Sequence, residues 1–235
     1  MNPEVSLNIL FSQIILQYCA FRYFLKYWYF KCNKNMELHM AKKKSEVYQF
    51  KVSLNGSKPL IWRRILVPAK YRFWDLHVAI QDAMGWTDYH LHSFLMKNPK
   101  TGENVEIGIP ELDDLSEILL TGFNEKIANY FSLENSKAMY EYDFGDSWIH
   151  TVKLEKILPA TAGEKYPKCI AGKMACPPED CGGIFGYYRL LEILGNPKHE
   201  EHEEMVQWLG NYDPVYFSAE EVIFDDPKIR AERIF

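Results

Sequence analysis

The sequence predicts an α+β fold: a mainly antiparallel sheet built from hairpins, one early helix, and C-terminal helices packed on it. Three observations predict it. Two pairs of alternating apolar runs, within 48–67 and 137–157, each reverse at a Gly-containing turn. A single helical repeat, 73–84, follows the first pair, and the other long helical patterns, 184–194 and 199–209, gather near the C-terminus. Strands first and helices last is the order of an α+β fold, not of repeated βαβ units.

Taken in order, Tyr48, Phe50, Val52 and Leu54 alternate with polar neighbours, as a half-buried strand requires. Asn55-Gly56-Ser57 turns the chain, and Leu60 to Val67 is its partner strand. Adjacent Arg63 and Arg64 must point to opposite faces of that strand, so at least one reaches the rim. Phe73, Leu76, Ile80, Ala83 and Met84 have helical spacing, and Gly85 suits the C-cap. Leu91 to Lys97 is a strand, Thr101-Gly102 a turn, and Asn104 to Ile109 its partner. Residues 111–136 predict short helix and loop. Ala138, Tyr140, Tyr142 and Phe144 then share one side of a strand. Gly145-Asp146-Ser147 turns into a strand alternating through Trp148, His150, Val152 and Leu154. Residues 159–183 read as one Pro/Gly/Cys-rich loop, and a loop of that length is usually functional or disordered. Ser218 with Glu221 forms a capping-box pattern for a last short helix.

Composition bounds the function. At 47% hydrophobic and 15% aromatic, the 235-residue chain is not disordered, and 13 Gly with 12 Pro exclude a collagen-like class. The net charge of −5 is uneven: residues 1–44 carry +5 and residues 45–235 carry −10. An acidic body argues against a broad phosphate-binding face, so nucleic acid is not an expected partner. Residues 1–44 read as an extension outside a single domain spanning 45–235. Val5 to Phe21 is a charge-free run of 17 residues, short of the roughly 20 a membrane span needs. Two readings stand: residues 5–30 are a marginal membrane anchor, or the segment is an upstream start and translation begins at Met40. Both put the domain in the cytoplasm.

Three of the five cysteines, Cys169, Cys176 and Cys181, fall within thirteen residues. In a cytosolic chain, clustered thiols point to metal or redox chemistry more than to disulfides. They could hold zinc with an imidazole from elsewhere, or pack as reduced small hydrophobes. Gly182-Gly183 before a helix offers backbone N–H groups to an anion, while Glu179-Asp180 would complement the same helix dipole. His90 and His92 fall on one face of a strand. If the hairpins share a sheet, His92, Asp143, Asp146 and His150 could converge near the cysteine loop as catalytic or metal-binding groups. Arg64, Trp148, Glu179, Asp180, Gly182 and Gly183 are the candidate ligand-binding residues, with the loop expected beside the Asp143–His150 hairpin. Asp143-Phe144-Gly145 lacks every accompanying kinase motif, and His199-Glu-Glu-His202 is one residue short of H-E-x-x-H.

Several segments together resemble a known family. They are Pro59-Leu-Ile-Trp62-Arg63-Arg64-Ile65; Leu76-His77, Ile80-Gln81 and Met84-Gly85-Trp86; and His90-Leu-His92-Ser-Phe94. Tyr142-Asp-Phe-Gly-Asp146-Ser-Trp148-Ile-His150 and Cys176-Pro-Pro-Glu-Asp-Cys181-Gly-Gly183 with Gly186-Tyr187 follow. In this order they resemble the plasmid pRi ORF-three-like family over about Tyr48 to Ile223. Its members carry transposon-passenger or resolvase-like labels. The resemblance implies a compact α+β domain and no reaction. A resolvase needs a nucleophilic serine among arginines and a basic DNA-binding domain, and neither is present. Three functions follow: a binding module linked to plasmids or mobile elements, taking a small molecule or protein; a metal-assisted, zinc hydrolase-like enzyme; and, least supported, a DNA recombinase.

Overall fold

The alternating runs set the sheet. In the computed structural model, which describes residues 45–109 and 119–234, the strands are β1 Glu46–Leu54, β2 Trp62–Pro68, β3 His92–Lys97 and β4 Asn104–Gly108. They continue as β5 Leu119–Thr121, β6 Lys137–Tyr142, β7 Trp148–Pro159 and β8 Lys168–Lys173. All lie in one sheet, ordered β5-β4-β3-β6-β7-β1-β2-β8, antiparallel except for the β4–β5 pair. The helices are α1 Phe73–Met84, α2 Gly183–Leu194, α3 His202–Leu209 and α4 Pro227–Ile234. The α+β expectation holds. The readings of residues 1–44, the anchor at 5–30 and the start at Met40 lie outside the described residues. Among the described residues no helix is long and apolar enough to cross a membrane.

One sheet face is the core face. Phe50, Val52, Leu54, Ile65, Val67, Phe94, Tyr140, Val152 and Leu154 are buried on it, against Phe73, Leu76, Ile80 and Ala83 of α1. Each such side chain contributes about 1.5–3 kcal/mol by leaving water. Helix α1 is nearly all buried because its other side is also covered. Trp74 Nε1 donates to Pro227 O at 2.8 Å, and Arg230 of α4 pairs with Asp82 at 2.5 Å. Gly85 ends α1 at φ +96, a left-handed cap that glycine adopts without a Cβ penalty.

The two arginines split as their alternation requires. Arg63 is buried, its Nε donating to Ala83 O at 2.8 Å and its guanidinium lying 3.8 Å over the Phe217 ring. Arg64 takes the other face, gripping Glu155 at 2.7 and 3.1 Å.

Four local readings differ from the fold, the first being that the 111–136 stretch, expected as short helix and loop, contains strand β5. The 159–183 stretch contains β8, which pairs with β2 along the sheet edge. Its signal is short, and only pairing with β2 makes it a strand. Phe144 is 52% exposed in the β6–β7 turn and leaves the side occupied by Tyr140 and Tyr142. Ser218 does stand at the N-cap of a one-turn 3-10 helix, Ala219–Glu221, but without a side-chain cap, and α4 at Pro227–Ile234 follows it.

Candidate functional site

The chain between β8 and α2 folds back onto the β6–β7 turn, and three contacts fix it there. Tyr142 Oη donates to Glu179 Oε1 at 2.5 Å. Gly182 N donates to Asp146 Oδ2 at 3.1 Å. His90 Nε2 lies 3.0 Å from Asp180 Oδ1. Thr87 adds its backbone N–H at 2.9 Å and its hydroxyl, both to Glu179 Oε2. The approach at the helix start is close. A Cβ on Gly183, whose φ is +64, would sit 2.2 Å from Asp146 O, so only glycine fits without backbone movement.

The helix-start amide at Gly182 therefore does receive a carboxylate, and it is the protein's own Asp146. Glu179 and Asp180 face elsewhere, toward Tyr142, Thr87 and His90. Asp143 Oδ1 accepts from Gly145 N at 2.9 Å and from Asp146 N at 3.3 Å. That fixes its carboxylate, leaving Oδ2 at 3.6 Å from His90 Nε2. Among the described residues, His90, Asp143 and Asp180 form the group of potential metal ligands whose donor atoms all lie within 4.8 Å of one another.

His90 is the residue the sequence reading missed as a site member. It precedes β3, so the strand rule that would align it with His92 does not apply to it. Its ring meets Tyr142 edge-on at 5.8 Å and stays about a third exposed.

The other candidates go elsewhere. His92 is fully inside, stacked on His77 at 3.4 Å between ring centroids. His77 in turn bridges Asp88 at 2.7 Å and Tyr140 Oη at 2.9 Å. His150 is buried, its Nδ1 2.9 Å from Trp148 O and its ring edge-on to Trp86 at 5.4 Å. Burial holds all three imidazoles neutral, lowering His77 and His92 well below the ordinary value and His150 to about 4. Trp148 is 1% exposed, packed by Trp86, and cannot wall an open pocket. Arg64 pairs with Glu155 on the outer sheet face.

The three cysteines are free. Cys169 is buried on β8, and its sulfur lies 3.6 Å from Ala171 O. They are not among the described groups whose ligand atoms converge. Burial raises all three thiols, Cys181 to about 12 with Asp146 and Asp180 adding to the shift, so they stand as protonated thiols rather than thiolates.

Beside the cluster a cleft of about 610 Å³ runs between α2 and α3. Asp180, Glu201 and Glu204 line it with Leu190, Ile193 and Trp208. Its one cation, Arg189, is held by Glu201 at 2.6 Å. Helix α3 buries no residue, leaving Val206 43% and Trp208 50% exposed.

Comparison with known proteins places this geometry in a family. The family model described as plasmid pRiA4b ORF-3-like protein matches residues 46–221. The uncharacterized protein y4hQ of Sinorhizobium fredii (strain NGR234) is 37% identical over 170 residues, covering 72% of this chain and 84% of that protein. The crystal structure of the protein of unknown function MM3350 from Methanosarcina mazei Go1 is similar with a TM-score of 0.73 at 50% identity. That match covers 77% of this chain and 99% of the other.

Proposed function

This chain belongs to the plasmid pRiA4b ORF-3-like family, whose matched relatives are uncharacterised, and we propose that it is a cytoplasmic binding module, linked to plasmids or mobile elements, that captures a basic amphipathic segment of a partner protein. The observation that carries the reading is the α2–α3 cleft. An apolar floor of Leu190, Ile193 and Trp208 lies between acidic side chains, and the single arginine among the lining residues is neutralised internally. A helix that buries none of its residues while exposing Val206 and Trp208 is poorly explained by intramolecular packing alone.

Charge selects the partner. The body from 45 to 235 carries −10, and an acidic rim favours lysine and arginine while repelling phosphate backbones. An aromatic such as Trp208 supplies the kind of anchor on which interface energies concentrate. Arginine or lysine over the Trp208 face would add a cation–π contact.

The test uses a fluorescein-labelled amphipathic Leu/Lys helical peptide and the full chain in EDTA, read by anisotropy. Binding with a Kd below about 10 µM at low salt is expected. Glu204→Lys and Trp208→Ala should each weaken it about tenfold. Affinity unchanged in both variants, or tighter binding to duplex DNA than to the peptide, overturns the reading.

A further inference from the structure

We propose that His90, Asp143 and Asp180 form a binding site for a first-row divalent cation, with zinc as the reference ion, which pins the loop before α2 to the β6–β7 turn. The proposal goes beyond the cleft reading and stands without it.

Geometry is the first argument. A cation about 2.1 Å from two ligand atoms that subtend 90–110° holds those atoms about 3.0–3.4 Å apart. His90 Nε2 lies 3.0 Å from Asp180 Oδ1 and 3.6 Å from Asp143 Oδ2. The first lies inside that range and the second about 0.2 Å beyond it. All three donor atoms lie within 4.8 Å of one another.

Charge is the second argument, and it is independent of those distances. Asp143, Asp146, Glu179 and Asp180 stand together on the loop and the turn it docks against. Among the described residues no lysine or arginine nitrogen lies within 4.0 Å of any of their carboxylate oxygens. Several carboxylates elsewhere are answered by cations: Glu155 by Arg64, Glu201 by Arg189, and Asp82, Asp88 and Asp225 by Arg230. Among the described ion pairs, the loop cluster has a single imidazole for four carboxylates. A divalent ion supplies the missing positive charge.

Donor chemistry selects the ion. Imidazole suits zinc and its first-row neighbours, and carboxylate suits manganese and magnesium. One imidazole with two carboxylates therefore favours zinc or manganese over calcium, which prefers six to eight oxygens. The neighbouring groups already orient the ligands. Asp143 has its other oxygen held by two backbone amides, and the His90 ring is set against Tyr142. Asp180 is largely exposed, so the remaining coordination positions face solvent. This assigns the cation to a site that contains none of the three cysteines.

Isothermal titration of the chelator-stripped full chain with Zn²⁺, repeated with Mn²⁺, tests the site. One equivalent should bind, with affinity reduced at least about tenfold by His90→Ala and by Asp143→Asn. Cys181→Ser, which would break any three-thiolate site, should change affinity less than about threefold. Circular dichroism of each variant checks that the fold is retained, and the isosteric Asp143→Asn keeps the site testable if His90→Ala is misfolded. No heat of binding at millimolar cation overturns the proposal. So does binding that survives both His90→Ala and Asp143→Asn, or that is lost only in Cys181→Ser. Peptide capture measured in EDTA is indifferent to all of these outcomes, so either reading can fail without the other.

Discussion

His90 and His92 are separated by one residue, and the protein uses them in opposite ways. His92 starts β3 and is driven into the core, stacked on His77 beneath α1. His90 lies just outside the strand, a third exposed, facing Asp143 and Asp180. Inside, desolvation strips the imidazole of its proton and makes it a packing element. At the rim, carboxylates surround an imidazole that water can still reach. The difference teaches that the strand boundary, not the residue type, divides core from carboxylate-facing histidines here.

The largest expected effect belongs to the core. His77, His92 and His150 are neutral when folded, each with its pKa depressed by burial below the ordinary 6.5. Between the depressed and ordinary values the unfolded chain binds protons that the folded chain does not, so stability falls as pH falls through that window. For His150, depressed to about 4, the loss is roughly 3 kcal/mol by pH 4. Asp88 works the other way: burial raises it to about 6, so acid protonates the folded form first. That offset is of similar size to the His150 contribution and leaves the stacked His77–His92 pair to set the net loss. Denaturant midpoints measured from pH 7 to pH 4.5 should fall steadily below about pH 6.5. A flat profile would mean that the histidine layer titrates without unfolding the core.

How much of this was legible in the sequence follows from the range of the forces involved. The runs through Phe50, Val52 and Leu54 and through His150, Val152 and Leu154 declare their buried face locally, because alternation is a property of neighbours. Strand β5, three residues in parallel pairing with β4, and β8, tucked into a Pro/Gly/Cys stretch, owe their existence to partners far along the chain. The docking of the loop on the Asp143–His150 hairpin could be argued from chain economy, since the chain leaves that hairpin through Pro159 and must return to begin α2. The cluster itself could not. Positions 90, 143 and 180 come from three separate segments, and no periodicity links them. Cysteine spacing drew attention to the same loop, but the donor atoms that converge there are those of His90, Asp143 and Asp180. Residue type suggested ligands there, but Cys169 had already been claimed by the core.

A smaller effect sharpens the contrast from inside. Neither ring nitrogen of His92 has a hydrogen-bond partner among the described residues. Replacing an unpaired buried polar group with an apolar one of similar volume is often neutral or stabilising. His92→Leu should therefore lie within about 1 kcal/mol of the parent at pH 7. At pH 5 it should be the more stable of the two, because one group opposing acid is gone. Parallel urea titrations at the two pH values would check it. A loss of several kcal/mol at pH 7 would show that the stack on His77 is itself a structural requirement.

The smallest expected effect is at His90, and its smallness is the point. Its link to Asp180 joins a partly exposed imidazole to a carboxylate that is 72% exposed. Pairs of that kind contribute about 0–1 kcal/mol, since water competes for both partners and two side chains must be held still. The loop has other anchors that do not need the imidazole, through Tyr142 to Glu179 and Gly182 to Asp146. Removing His90 also brings no cavity to the core, because the side chain lies at the surface. His90→Ala should thus shift the urea midpoint of the cation-free protein by the equivalent of less than about 0.5 kcal/mol at pH 7. If His90→Ala instead costs more than about 2 kcal/mol in the absence of cation, the imidazole is a structural clasp for the loop, and the division between core and rim histidines drawn above fails.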